Sequence, residues 1–504
     1  MPTAAGYPIV LTADKSLMAA YRLLFDGMLA ASQTTTLPRV AVEALLMPRD
    51  RTPGLRARIA PLGLRRVEAA LLAAGLGADD VIVVREEHLR EVIGPRTRLV
   101  AISSGEPCGL GMNTSTMTTI NGGMIYPQAM FRRVLAEVHR CLALTPSSAK
   151  VLLGGPGAWQ LAGDATARHA MGIDHVVNGY CEGNVAALCR ALVAGEALPE
   201  VITGEAVSAA AIPPIRGATT MGVVEISRGC GLGCSFCTIA RTPMLHLPEA
   251  TILADVRSNL AGGNQNIAIL SEDFLRYGAQ GLSVNPAALI SLLHALRHLD
   301  GLRLIQVDHV NVASIARYRD EELQAVHNGL VGGVRHNYPW VNIGVETASG
   351  ALLKAAGGGA KFGGIDPNDW GAACAEQVRR MSQAGFFPLV SLVVGLPGEG
   401  ADDVRKTLAW VEALRGERLA IFPVLYAPID GGPGLGVRDL TRLHWQLIKT
   451  AYAFNFRWTP HMYWDNQTGA GETLAKRLLM QAMGQGQVVQ LSALMAWHAW
   501  RARA

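Results

Sequence analysis

The stretch Val223-Val224-Glu225-Ile226-Ser227-Arg228-Gly229-Cys230-Gly231-Leu232-Gly233-Cys234-Ser235-Phe236-Cys237 constrains the chain more than any other. A short β-branched run ends in a glycine-rich loop that carries three cysteines spaced C-x3-C-x2-C. An odd number of thiols on one tight loop is not a disulfide framework. Structural zinc wants four ligands, usually C-x2-C pairs or pairs with histidine. Three thiolates suit an iron–sulfur cluster with one iron left without a protein ligand. Gly231 and Gly233 let the backbone wrap closely round such a group. On the residues alone, buried thiols and a zinc site stay open as alternatives.

The rest of the chain narrows the class. At 504 residues with half of them hydrophobic, two to three domains with large cores are expected. No uninterrupted apolar run is long enough for a membrane helix. The first residues, small and polar-leaning up to Tyr7, lack a charged-then-apolar leader pattern. Eight cysteines in so long a chain do not read as a secreted disulfide scaffold, so a reducing cytoplasmic setting is expected. The formal charge is only +4, and lysine supplies seven of the 45 basic residues, with no basic run. Nucleic acid is therefore not favoured as a partner.

Before the cysteines, strand-like runs occur at 9–12, 40–46, 81–84, 99–102, 151–153 and 175–177. Helical patterns lie at 62–74 and 131–144, and another opens at Ala13-Asp14-Lys15. Alternation of this kind predicts a doubly wound parallel sheet, flavodoxin-like, over residues 1–200. Such sheets bind ligands at the carboxyl ends of their strands. Small residues collect there: Ser103-Ser104-Gly105, Gly154-Gly155-Pro156-Gly157 and Asn178-Gly179-Tyr180-Cys181-Glu182-Gly183. The aperiodic stretch 106–126 reads as a binding loop or lid, and 201–218 as a linker. Cys141 and Cys189 sit in helical patterns and read as core thiols; Cys108 and Cys181 read as loop residues.

From 219 to 430 the alternation resumes, with strands at 223–227, 267–270, 304–307, 341–345, 389–394 and 421–425 and helical patterns between them. The spacing predicts a parallel α/β array with its site at the strand ends. Polar groups sit there: Ser271-Glu272-Asp273, Asp308-His309, Glu346-Thr347, and Val394-Gly395-Leu396-Pro397-Gly398-Glu399. The glycine run 357–364 lacks the G-K-[ST] ending of a phosphate loop and reads as a mobile loop. Residues 431–504 read as a helical C-terminal domain of two helices, 440–456 and 472–500. Trp458, His461, Tyr463, Trp464 and Asp465 lie between them. They either shape a pocket or pack the helices.

The cysteine loop, with Phe236 before its last cysteine, resembles that of the radical S-adenosylmethionine (SAM) family. The resemblance implies a central partial (β/α)6 barrel. It also implies a 4Fe–4S cluster on Cys230, Cys234 and Cys237, with SAM on the fourth iron, and an electron donor such as flavodoxin or ferredoxin. It implies SAM contacts at Ser271, Glu272 and Asp273 (in place of the family's G-G-E), at Glu346, and at Val394 and Gly395 on the "GLPGE" turn. The N-terminal domain, with "LGGPGA" and "VVNGYCEGN" at its last strand ends, resembles the cobalamin-binding domain of the cobalamin-dependent branch. By that match Gly154 and Gly155 flank the nucleotide tail of cobalamin, and Ser103, Ser104 and Gly179 lie near the corrin or its tail. The D-x-H-x-x-G motif that supplies histidine to cobalt is absent, so no histidine ligand is expected. The implied activity is methylation of an unactivated carbon. A non-methylating cyclase or mutase, or a non-catalytic cobalamin sensor, are the alternatives. The substrate is not legible.

Overall fold

A computed structural model describes residues 5–334, 338–432 and 434–502. The chain forms two compact units. One comprises Met1–Thr114, Gly122–Val224 and Pro248–Asn264; the other comprises Ser115–Asn121, Glu225–Leu247 and Gln265–Ala504.

The first unit is built on six parallel strands: β1 (Ile9–Ala13), β2 (Val81–Val83), β3 (Leu99–Ser103), β4 (Lys150–Gly154), β5 (His175–Asn178) and β6 (Val201–Thr203), in the order β2-β1-β3-β4-β5-β6. Side chains alternate between two cores. Leu11, Val83, Leu99 and Leu152 face one, with Leu71 and Leu192 from helices Leu62–Ala73 and Val185–Ala194. Val10, Ile82, Val100 and Leu153 face the other, with Phe131, Val134 and Val138 from helix Tyr126–Ala143. Helices on both faces and the reversal of direction at β1 make this the doubly wound sheet expected, with its switch point between β1 and β3.

Several local expectations fail for identifiable reasons. Residues 40–46 are not a strand but lie in the helix Arg39–Leu46. Val42 and Leu46, four apart, are buried, whereas Val40 is 75 % exposed. No helix opens at Asp14; its carboxylate instead caps an Asx turn through the Ser16 amide at 2.9 Å. The stretch 106–126 contains a helix, Met112–Asn121. The expected linker contributes β6.

The strand Val223–Glu225 (β7), along which the chain passes into the second unit at Glu225, leads into Ile226, whose amide bonds the Leu270 carbonyl at 3.1 Å. There follow β8 (Asn266–Leu270), β9 (Leu304–Val307), β10 (Trp340–Glu346), β11 (Phe387–Val394) and β12 (Ala420–Leu425). β8 pairs with β9; the chain passes Asp308 into His309–Val310, which pairs with β10, and β11 and β12 complete a parallel array. Helices Pro286–Arg297, Asp320–Val331, Trp370–Gln383 and Ala401–Ala413 connect the strands. The edge strand β12 is covered. The Asn455 side chain accepts from the Ile421 amide and donates to the Ile421 carbonyl, both at 2.7 Å, and Thr116 Oγ1 accepts from the Leu425 amide at 2.7 Å. Asn455 belongs to helix Arg442–Gly469, followed by helix Leu474–Arg501. The aromatic residues expected between two helices lie inside the first, which continues through Pro460. No helix among the described residues is long and apolar enough to cross a membrane.

Candidate active site

The cysteine loop is folded against itself before any ligand is considered. The Cys230 amide bonds the Thr242 carbonyl at 3.0 Å and the Gly233 amide bonds the Ala240 carbonyl at 2.9 Å. Gly229 has φ +71°, and a Cβ there would lie 2.4 Å from the Pro243 oxygen, so no other residue fits this turn. Arg276, buried, holds the Cys230 carbonyl at 2.9 Å.

Cys230 and Cys234 are buried and Cys237 half-buried, all as free thiols. Burial raises all three thiols above their ordinary range, Cys234 to about 11. Bare thiolates are therefore unfavourable, and positive charge supplied by iron would stabilise them. Backbone amides aim at the sulfurs: Leu232 at Cys230, and Ile239 and Ala240 at Cys237. Amide hydrogen bonds to thiolate sulfur are a recurrent feature of iron–sulfur ligation. Among the described residues, no three His, Cys, Asp or Glu side chains are arranged to hold a single metal ion. A cluster that gives each cysteine its own iron does not need such a set. The residues present fit a 4Fe–4S cluster better than structural zinc.

The glycine run is not the mobile loop expected. The Ala360 amide bonds the Leu232 carbonyl at 2.7 Å, and the Ser235 amide bonds the Gly357 carbonyl at 2.9 Å. The Cys234 thiol donates to the Gly358 carbonyl at 3.3 Å, and Ser235 Oγ to the Ala356 carbonyl at 2.7 Å. This run backs the cysteine loop and delivers Lys361, buried, to Glu346 at 2.8 Å.

The strand ends sort the remaining candidates. Ser271 Oγ is tied to Ser227 Oγ at 2.5 Å. Asp273, fully buried, accepts from Ser314 Oγ at 2.6 Å, and burial pushes its carboxyl up to about 6. Both serve the framework. Glu272, between them, has no hydrogen bond among those described, stands within electrostatic reach of Cys230 and Cys237, and is raised by burial. Of the three residues, it is the one whose side chain takes no part in these framework bonds. Beyond β9, His309 Nδ1 pairs with Asp308 at 2.9 Å. Desolvation alone would lower the His309 pKa, but Asp308 and then Glu272 raise it to about 9. Gly395, after β11, has φ +83°, and its amide bonds Glu399 at 2.8 Å; Glu399 also meets His444 at 3.1 Å. Glu399 thus closes the turn after Val394. Phe236 is buried. Sequence reasoning passed over Lys361. The available signal was one of seven lysines set among glycines.

In the first unit, Ser103 and Ser104 are buried, and Gly155 packs on them. A Cβ on Gly155 would lie 2.6 Å from Ser103 Oγ and 2.9 Å from the Ser104 amide, so its smallness serves the contact between neighbouring turns. Gly154 has nothing within 4 Å of a Cβ position, and Gly179 has only the Gly204 oxygen at 4.0 Å, so these two strand ends are open. The histidines have other partners: His175 bonds the Pro199 carbonyl, His139 the Met171 carbonyl, His169 Glu200 and His88 Glu91. Cys141 and Cys189 are buried as expected.

Residues 224–411 match the family model of the Radical SAM superfamily. A radical SAM domain implies a 4Fe–4S cluster and SAM. Among curated proteins, ribosomal protein uS12 methylthiotransferase RimO of Geobacter sulfurreducens is 27% identical over 224 residues, 43% of this chain and 44% of that protein. The tRNA-2-methylthio-N(6)-dimethylallyladenosine synthase of Desulfosudis oleivorans is 27% identical over 228 residues, 44% of each. The chain thus spans less than half the length of these relatives. Among solved structures, the radical SAM methyltransferase TsrM of Kitasatospora setae, with cobalamin and a 4Fe–4S cluster bound, superposes with a TM-score of 0.54. It is 16% identical, and the match covers 84% of this chain and 77% of that one, a likeness of fold.

Proposed function

We propose that this chain is a cobalamin-dependent radical SAM methyltransferase acting on an unactivated carbon of its substrate. The observation that carries the reading is the likeness of fold to TsrM. It runs over 84% of the chain, farther than residues 224–411 of the family match. The cysteine loop then stands at the head of the second unit's strand array, and the first unit is a doubly wound sheet with open strand ends.

In this reading Cys230, Cys234 and Cys237 hold a 4Fe–4S cluster, and Gly154, Gly179 and the Ser103–Ser104 edge border cobalamin. When bound, these groups with SAM supply one-electron bond cleavage and a transferable methyl group, which a C–H bond without acidity requires. The protein's own part is placement. Glu272 offers its carboxylate to the SAM ammonium. Glu346 and the Val394–Gly395 backbone border the rest of SAM, and Asp273 and Ser271 brace Glu272 from below. His309, protonated below about pH 9, presents Nε2–H to the substrate while Asp308 holds Nδ1–H.

The curated relatives favour a second reading, methylthiolation, which the product distinguishes by its added sulfur. A non-methylating radical enzyme would show no methyl gain, and a cobalamin sensor would keep its cellular role in Cys234→Ala.

The test is anaerobic purification from cobalamin-fed cells, reconstitution with iron and sulfide, and counts of iron and extracted corrinoid. About four irons and about one corrinoid per chain are expected, with the iron lost in Cys234→Ala. Full iron without corrinoid, even after incubation in excess, would remove the methylcobalamin route.

A further inference from the structure

We propose that Lys361 is a positioning residue for the electron, setting the reduction potential of the cluster held by the cysteine loop, and that Glu346 tempers it. The inference rests on the cluster reading above. It concerns how the chain governs electron entry, which the fold likeness does not address.

Three costs converge on this pair. The first is burial: both side chains are about nine-tenths buried, with their charged ends 2.8 Å apart. A buried ion pair is weak evidence for stability, because desolvation offsets its attraction. The second is backbone strain. Glu346 has φ +64°, one of only two positive values among the described non-glycine residues, and it follows a register shift between Gly344 and Glu346 on β10. Holding a residue with a Cβ in this left-handed conformation is strained. The third is sequence. A Cβ on Gly344 would lie 2.6 Å from both Glu346 Oε1 and Lys361 Nζ, so the strand gives up a side chain to admit the two head groups. Strain gathered at one point marks function more often than stability.

The loop geometry tells what the pair faces. The run carrying Lys361 is bonded to the cysteine loop at Leu232, Cys234 and Ser235. The ammonium lies within electrostatic reach of Cys234 and Cys230. Its charge is kept whatever the pH of ordinary work, since Glu346 and the cysteines outweigh the desolvation that opposes it. Reduction takes one electron from a low-potential one-electron donor protein. It brings the cluster from the two-plus to the one-plus core, with no bond made and no proton moved. With three thiolate ligands the site becomes more negative by one charge. A fixed, poorly solvated cation beside the sulfurs favours that state, and the carboxylate paired with it moderates the effect.

The experiment uses the full chain, reconstituted anaerobically, in wild type, Lys361→Met, Lys361→Arg and Glu346→Gln. Iron and acid-labile sulfide are counted first. The reduced cluster is then followed by EPR through a redox titration without SAM. Opposite shifts are expected: Lys361→Met becomes at least tenfold harder to reduce, about 59 mV for a one-electron couple, Glu346→Gln becomes easier, and Lys361→Arg stays near wild type. Variants that hold full iron with an unshifted potential would overturn the inference and leave the cluster reading intact. So would a fall in potential in Glu346→Gln, or cluster loss in Lys361→Arg, because both would mark a clasp for the loop. A wild type that takes up no iron would overturn the cluster reading itself, and this inference with it.

Discussion

At the scale of single residues, the chain holds charges where burial penalises them. Asp14, at the end of β1, is fully buried, and burial pushes its carboxyl to about 6 despite hydrogen bonds from Ser16. A carboxyl raised in the folded state contributes fully while protonated, below its ordinary value of 3.8, and loses that contribution as pH rises through about 6. Asp14→Asn should therefore gain on wild type between pH 5 and pH 7.5, by about 1.4 kcal/mol. Thermal unfolding midpoints at the two pH values check this, and a constant gap would mean that Asp14 ionises without penalty. The cysteine motif stands out in the sequence because its spacing is local. Lys361 does not, because its meaning depends on a partner on β10 and on the register shift that turns Glu346 inward. Glu272 stood out by its position at a strand end. That Ser271 and Asp273 serve the framework did not, since their partners Ser227 and Ser314 lie more than forty residues away.

At the scale of elements, the glycine run 357–364 shows what periodicity misses. It has no pattern of its own because it is built to fit another loop. Gly359 (φ +58°) would place a Cβ 2.2 Å from the Leu232 oxygen, whereas Gly364 (φ +97°) has nothing within 4 Å. Both substitutions to alanine cost about 1 kcal/mol or more in backbone strain. Only Gly359→Ala should also displace the cysteine loop, so it should retain less iron after reconstitution than Gly364→Ala. Equal iron in the two would separate the run from the cluster. Strands read well wherever β-branched residues formed a compact run, as in β1, β3 and β11. The helix Arg39–Leu46 read as a strand because eight residues with valine at two alternate positions satisfy either period until burial decides.

At the scale of the whole molecule, the first unit closes on a segment from far along the chain. Arg66 on helix Leu62–Ala73 meets Asp255 on helix Glu249–Ala261 through two hydrogen bonds, at 3.1 and 2.5 Å, both side chains almost wholly buried. Asp255 also receives the Ile215 amide at 2.9 Å. Removing one partner strands a buried charge, so Arg66→Ala should cost about 3 to 5 kcal/mol and lower the unfolding midpoint. A double change of Arg66→Met with Asp255→Leu should restore part of the loss. A single variant as stable as wild type would show that the pair is dispensable. Sequence alone determined what local spacing can encode: three cysteines on one tight loop, parallel α/β alternation, and small residues at strand ends. These follow from bond geometry and side-chain period within a dozen residues. Tertiary structure decided what depends on distant partners: that the helix at 249–261 belongs to the first unit, that Ser271 and Asp273 are bonded to Ser227 and Ser314, and that a buried lysine stands within electrostatic reach of the cysteines. Desolvation and pair geometry control these outcomes, and both exist only once the chain has closed on itself.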